Sequence, residues 1–462
     1  MKNRLFLLIF FSIIFNIYLN TNKSFKNSDE IYFWCNLLYW LNIIPLFIWI
    51  YNSYKKEIYP FFPSVSIFLL ISFALPPFFI ATESYQLGTL SVETLQLAFL
   101  GFSIFYFSYY FLLIKNIFQL KPFDPIRSNL YNPRIKNASY VFLFLFFLSK
   151  FITSITALHH IGELGFFIYI GTFIVLLNQK AEINLIEKLV FYAVILSEAI
   201  TRALDGLLVL IGLLILFIIV VNFFSSNKKQ GFLTILLICL FIGFYLIMSP
   251  IKDKYRVEVW YSNKTFTLRD RISVISELYS EFLNDKGSNY LVVNNKSDKD
   301  HFVYRYSYQA SALSLVLEST PQKVPYWNGK TYIVFSKFIP RVFWEDKPTE
   351  NLGQEFGHRY GILNYSNKNT SMNTPLITEM YMNYGKFGVY IGMILLAFTY
   401  LLLNNIFNNN KISTIGRVYS ISIIFPFISQ ESNFTLTFGN IPLMTLAVYL
   451  IIRFYINSGN SD

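Results

Sequence analysis

Charge is scarce in this chain: Asp, Glu, Lys and Arg together make up 14% of its 462 residues, against roughly a quarter in soluble domains. With 54% of the residues hydrophobic, that scarcity excludes an ordinary soluble fold, because too few polar side chains remain to cover it. Cysteine is scarcer still. Cys35 and Cys239 each lie inside an apolar run, a placement that excludes a disulfide framework or a thiolate metal site. There are four histidines. His159 and His160 are adjacent rather than at helical ligand spacing, and the acidic residues form no recognisable cluster, so neither a metal nor any other cofactor is expected.

Long apolar runs are what the chain does have. A helix rises 1.5 Å per residue and a bilayer core is roughly 30 Å thick, so runs of about 17 to 24 residues are the length of a crossing. Such runs occupy 4–20, 31–51, 62–82, 94–114, 138–157, 164–178, 187–203, 206–224, 231–249, 387–405, 414–431 and 436–454. They predict an all-α polytopic membrane protein of about twelve transmembrane helices. The first run follows Lys2 and Arg4 and has no small-residue cleavage site after it, so it is expected to be a retained span rather than a removed signal peptide. Aromatic residues, 33 Tyr and 50 Phe among them, suit lipid-facing and interfacial positions.

The formal charge of +11 is distributed unevenly. Alternate turns carry Lys55 and Lys56, then Lys115, Lys121, Arg127, Arg134 and Lys136, then Lys180, then Lys228 and Lys229, then Lys411, while the short turns between them hold little beyond Lys23, Lys26 and Arg202. Short-loop cations resist translocation, so both termini are expected in the cytoplasm, and the positive balance reflects membrane topology rather than nucleic-acid binding. The partition is a first transmembrane bundle at 1–249, one large extracytoplasmic loop at 250–386 and a C-terminal bundle at 387–462. Within the loop, 252–283 suits a polar helix around Arg269, Asp270 and Arg271, and 284–300 a turn region. A second helix is expected from Tyr304 to Glu318, stopped at Thr320-Pro321. Thr374 and Pro375 make an N-cap and first-turn pair, with Gly385 as the stop of a short helix leading into the next span.

The stretch from Thr320 to Gly392 contains TPQKVPYWNG, FIPRVFWEDKP, GHRYG and TSMNTPLITEMYMNYGKFGVYIGM. Here the chain resembles the Wzy-type O-antigen and oligosaccharide repeat-unit polymerases, most specifically at Ile339-Pro340-Arg341 with Trp344 and Lys347-Pro348, then from Glu379 to Gly388. The resemblance implies a GT-C-like glycosyltransferase in the bacterial inner membrane. Its substrates would be undecaprenyl diphosphate-linked oligosaccharides on the outer face, and its partners the bilayer, a chain-length regulator and a flippase.

That chemistry needs cations at a diphosphate, a base for the attacking hydroxyl and an apolar groove for the lipid. Arginine suits the first need because its planar fork binds phosphate oxygens in pairs. Arg341 is placed first, beside Pro340 and Trp344. Arg359 follows, with His358 beside it and Gly357 and Gly361 allowing close approach, and then Arg202 and Arg305. Arg202 sits at the end of a span, where it could meet a lipid headgroup or pair with Glu198 one turn earlier. Glu379 is the candidate base, sharing a helix face with Asn383, and His358 is the second candidate. Trp344, Lys347 and Asn383 complete the implied substrate contacts. Asp29-Glu30 has the look of the acidic pair in other lipid-sugar transferases, but a plain interfacial turn is the preferred reading of it. Two other functions suit the same architecture: an O-antigen ligase, and a flippase or exporter of lipid-linked oligosaccharide.

Overall fold

The computed structural model describes residues 2–21, 27–53, 56–116, 120–126, 133–152, 156–179, 181–205, 208–225, 266–285, 298–334, 351–368 and 370–457. It also describes scattered positions between 239 and 259 and at 336, 344 and 345. Apart from an isolated bridge between Glu57 and Asn409, the described residues form helices and loops. The helices are α1 (Lys2–Thr21), α2 (Asp29–Ile48), α3 (Phe61–Leu69), α4 (Pro76–Phe79), α5 (Val92–Ile114), α6 (Pro133–Phe151), α7 (Thr156–Asn178) and α8 (Leu185–Leu204). They continue with α9 (Leu208–Ser225), α10 (Leu268–Asp285), α11 (Asp298–Ser319), α12 (Leu352–Arg359), α13 (Leu376–Phe407), α14 (Thr414–Ile424), α15 (Phe434–Phe438) and α16 (Ile441–Ile452).

Five helical segments among the described residues are long and apolar enough to cross a membrane: Asp29–Asn52, Val92–Ile114, Leu158–Asn178, Leu376–Phe407 and Phe434–Tyr455. Shorter apolar helices run Leu5–Thr21, Phe61–Ala74, Leu210–Ser225 and Thr414–Ile428. Most apolar runs therefore fold as helices with ends near those expected. The run at 62–82 differs. It folds as Phe61–Ala74 followed by the single turn α4, because Pro76 and Pro77 contribute no N–H to a helical ladder. The run at 231–249 lies almost wholly outside the described residues. Asp29 and Glu30 occupy the first turn of α2, capped by Ser28, whose hydroxyl accepts from Ile31 N. There they complement the helix dipole, which is the plain-turn reading of that pair.

By contacts the chain divides into two compact units, residues 1–127 with 302–450, and 128–301 with 451–462. This is a division by packing, whereas the partition drawn from hydropathy is one by solvent environment.

In the first unit α5 packs against α2 and α13. Gly101 permits the close approach to α13, since a Cβ there would lie 3.1 Å from Val389 Cγ1. Phe62 stacks on Tyr109 with ring centroids 3.5 Å apart. Asn42, fully buried, donates to Leu38 O and accepts from Tyr106 Oη. At the far end of α13 the Asp124 carboxylate accepts from Ser413 N and Oγ at 2.9 and 2.8 Å, fixing the start of α14.

In the second unit α6 and α7 form a hairpin, and α8 shows an inverted amphipathicity. Leu185, Ile186, Leu189, Tyr192 and Leu196 are exposed, while Phe191, Val194, Glu198 and Arg202 are buried. An apolar outer surface over a polar interior is what a lipid environment selects.

The expected polar helix of 252–283 is observed as α10, starting at Leu268, and the helix expected to stop at Thr320 is α11, ending at Ser319. The helix bracketed by Thr374-Pro375 and Gly385 is observed too, shifted by one residue at its start. Pro375 itself holds the N-cap position, Thr374 makes no cap, and the backbone breaks at Tyr384 and Gly385 before α13 resumes. Gly385 has φ +62°, a left-handed value. A Cβ there would meet Tyr326 Oη at 2.8 Å.

Candidate functional site

Between α11 and α13 the chain folds into a small polar cleft of about 250 Å³, lined by Asn351, Gln354, Glu355, His358, Arg359 and Tyr365. Helix α12 presents Glu355, His358 and Arg359 at i, i+3 and i+4, which places them on one face. Its other face is pressed against the loop that follows. A Cβ at Gly353 would collide with Ser371 Oγ and Met372 O, and one at Gly357 would come within 2.5 Å of Leu363 Cδ1. Met372 N donates to Gly353 O at 3.1 Å, closing the contact. Gly357 thus permits close approach of the chain's own Leu363 rather than opening a way to Arg359. Gly361 acts differently, taking φ +69° to turn the chain with no neighbour near its missing Cβ.

Gly353→Ala is therefore expected to shift α12 off the 371–372 segment and cost about 1–3 kcal/mol, the range for overpacking a tight contact. A thermal melt of the detergent-solubilised protein measures it. An unchanged midpoint would mean that the α12 packing is not what holds the cleft.

Arg359 is the cation of the cleft. Its guanidinium lies 4.5 Å from the centre of the Trp327 ring, a cation–π contact, and Trp327 is buried, with its backbone N–H given to Met382 O. The nearest carboxylate, Glu355, is 4.0 Å from Nη1, beyond hydrogen-bond reach, and Nη1 is buried without a hydrogen-bond partner. A buried donor left unmatched is costly, and the Trp327 ring is the contact that holds the guanidinium in place. His358 Nε2 lies 2.9 Å from Asn367 O, and its ring lies against that of Tyr365. Tyr360 Oη meets Thr320 Oγ1 at 2.7 Å, tying the end of α12 to the end of α11.

Glu379 and Asn383 share a helix face as expected, and both are buried in a polar knot rather than lining the cleft. Glu379 Oε2 accepts from Phe434 N at 2.6 Å. Asn383 Oδ1 accepts from Gly329 N at 2.8 Å, while its Nδ2 donates to Thr331 Oγ1 and to Glu379 O, each at 2.8 Å. Thr435 Oγ1 donates to Thr331 O, completing the tie between the 327–331 turn, α13 and α15. Asn328 and Gly329 both have positive φ there, so the Trp-Asn-Gly of the quoted motif is a turn whose backbone is read by Asn383.

The other candidates are dispersed. Arg305 reaches Glu431, Nη2 to Oε2 at 3.5 Å. Trp344 is 37% exposed. Arg341 and Lys347 lie outside the described residues. Arg202, in the second unit, is 4% exposed and gives Nε to Glu198 at 2.8 Å and Nη2 to Glu163 at 2.9 Å. Lys150 pairs with the other oxygen of Glu198. The result is an alternating chain Lys150–Glu198–Arg202–Glu163 across α6, α8 and α7. The pairing with Glu198 follows from the four-residue spacing; the one with Glu163 does not.

The sequence reading passed over Gln354, Glu355, Tyr365, Trp327 and Glu431. The i, i+3, i+4 spacing of Glu355, His358 and Arg359 was the signal available for the first group. Among the described residues no group of three or more His, Cys, Asp or Glu side chains is placed to hold a metal ion.

No curated protein and no solved structure matches the chain. A family of domains of unknown function, DUF8712, matches residues 128–455, a span that takes in the cleft, the Glu379 knot and the buried ion chain, and the protein belongs to that family.

Proposed function

We propose that this protein is a GT-C-like membrane glycosyltransferase of about twelve spans that joins lipid diphosphate-linked oligosaccharide repeat units on the outer face of the bacterial inner membrane. The observation that carries the proposal is Arg359, a guanidinium braced on a buried tryptophan with one amino group unmatched, in a polar cleft next to the start of a long apolar helix. Such a group suits a phosphate oxygen, because the planar fork is always charged and loses little freedom on binding. His358 lines the same cleft with its Nε2 held against Asn367 O at 2.9 Å. The resemblance over Thr320 to Gly392 and the asymmetry of Lys and Arg in the short turns support the substrate class and the orientation. In this reading Glu379 and Asn383 are positioning residues that lock the 327–331 turn, and with it Trp327, beneath Arg359.

The test is deletion of the gene in its host, with surface glycans resolved by size and complementation by the wild type. Collapse of the ladder to a core bearing one repeat is the expected result. Polymer accumulating on its lipid outside the membrane would make the protein a ligase, single repeats retained inside would make it a flippase, and an unchanged ladder would end the proposal.

A further inference from the structure

The proposed reaction needs a base, and Glu379, 1% exposed with an oxygen committed to Phe434 N, is closed to a substrate hydroxyl. A second carboxylate lies three residues before Phe434. Glu431 occupies the loop between α14 and α15, at the same end of the first unit as the start of α13, since Leu376 N donates to Gln430 O across it at 3.4 Å. The loop is fixed on three sides. Gln430 O receives Leu376 N, Asn433 caps α15 by accepting from Leu436 N at 2.9 Å, and Glu379 holds Phe434 N. The Glu431 side chain itself remains 24% accessible and faces Arg305.

Arg305 and Tyr308 lie one turn apart on α11. Tyr308 donates to Asn373 O at 2.6 Å, next to Met372, whose N–H binds Gly353 at the start of the cleft helix. One short segment, 372–376, is thus tied to the cleft at Gly353, to α11 through Tyr308 and to the Glu431 loop through Leu376. Burial pushes the Glu431 carboxyl up from its usual range, and the Arg305 charge pulls it part of the way back. Burial with a single nearby cation is a usual way to tune a carboxylate for proton transfer.

Resting on the polymerase reading, we infer that Glu431 is the general base for the acceptor sugar and Arg305 the residue that sets its ionisation. The acceptor hydroxyl oxygen attacks the anomeric carbon of the donor chain. The bond from that carbon to the diphosphate oxygen breaks with its electron pair leaving on the lipid diphosphate, and the hydroxyl proton passes to Glu431. The titratable groups facing Glu431 among the described residues are Arg305 and Tyr308, both from α11. Tyr308 is pushed above its usual range by burial, with the Glu431 charge adding to the effect, so Tyr308 stays neutral while Glu431 titrates.

The experiment uses membranes carrying the full-length protein and lipid-linked saccharide extracted from the deletion host, with polymer read on a gel. Glu431→Gln is expected to lower kcat by about 10²–10⁴-fold, the usual contribution of a general base, with KM little changed, and Glu431→Asp to recover part of the loss. Arg305→Gln removes the cation that favours the ionised form. The carboxyl then titrates higher, and the acidic limb of the pH–rate profile moves to higher pH. Glu431→Gln turning over like the wild type, or an acidic limb that stays in place in Arg305→Gln, would overturn the assignment while leaving the polymerase reading intact. A wild type that makes no polymer from the extracted lipid would overturn both. If Glu431→Gln does not insert, the Arg305→Gln profile decides.

Discussion

Arg359→Ala is expected to reduce chain extension by about 10²–10³-fold while the protein still inserts at normal abundance. That range is the loss seen when one preorganised electrostatic donor is removed from a developing negative charge. Arg359→Lys should recover little of it. Lysine keeps the charge but not the planar fork, and its compact ammonium cannot stack on an aromatic ring as a guanidinium can, the Arg359 guanidinium lying 4.5 Å from the centre of the Trp327 ring. The measurement is the surface-glycan ladder of a deletion host complemented with each variant, with membrane abundance read in parallel. A full ladder from Arg359→Ala would remove the cleft from the reaction.

The second large effect is on stability. Arg202→Met is expected to destabilise the protein by about 3 kcal/mol, the low end for breaking a buried ion pair, because it strips Glu198, 7% exposed at its side chain, of its buried cation and leaves only the more exposed Lys150 beside it. Removing the carboxylate as well should undo much of that loss. In Arg202→Met with Glu198→Met the two survivors are Lys150 and Glu163, whose side chains are 38% and 35% exposed and reach solvent or headgroups without each other. Thermal unfolding of the two single variants and the double variant in detergent gives the coupling. Strictly additive losses would mean that the ion chain is not a cooperative unit.

Local features of the fold were legible in the sequence, and long-range ones were not. Apolar runs marked most of the helices, since length and composition decide a crossing independently of what packs around it. Gly385 announced the break in α13, and Thr320-Pro321 the end of α11, because both act on the backbone beside them. Pro76 and Pro77 carried the signal that splits 62–82, but hydropathy averages over it. At the site, a four-residue spacing placed Glu379 with Asn383 and Glu198 with Arg202. Spacing fixes a face and says nothing of what covers it. The covering groups, Gly329 to Thr331 and Phe434 for the first pair and Glu163 for the second, come from distant parts of the chain. Arg305 and Glu431 meet in the same way. The cleft was half visible: His358 and Arg359 were singled out, while Trp327, which holds the guanidinium, belonged to a different quoted motif.

The inverted face of α8 has a consequence for how the protein is made. If α8 is one of the proposed twelve spans, a helix carrying Glu198 and, in its last turn, Arg202 enters a bilayer poorly alone, since a charge within a span is costly. Lys150 and Glu163, which complete its neutralisation, precede it in the chain on α6 and α7. The hairpin that neutralises α8 is therefore synthesised first and stands ready when α8 emerges. On the twelve-span proposal, insertion of this segment is a templated event, in which order of synthesis supplies what hydrophobicity does not.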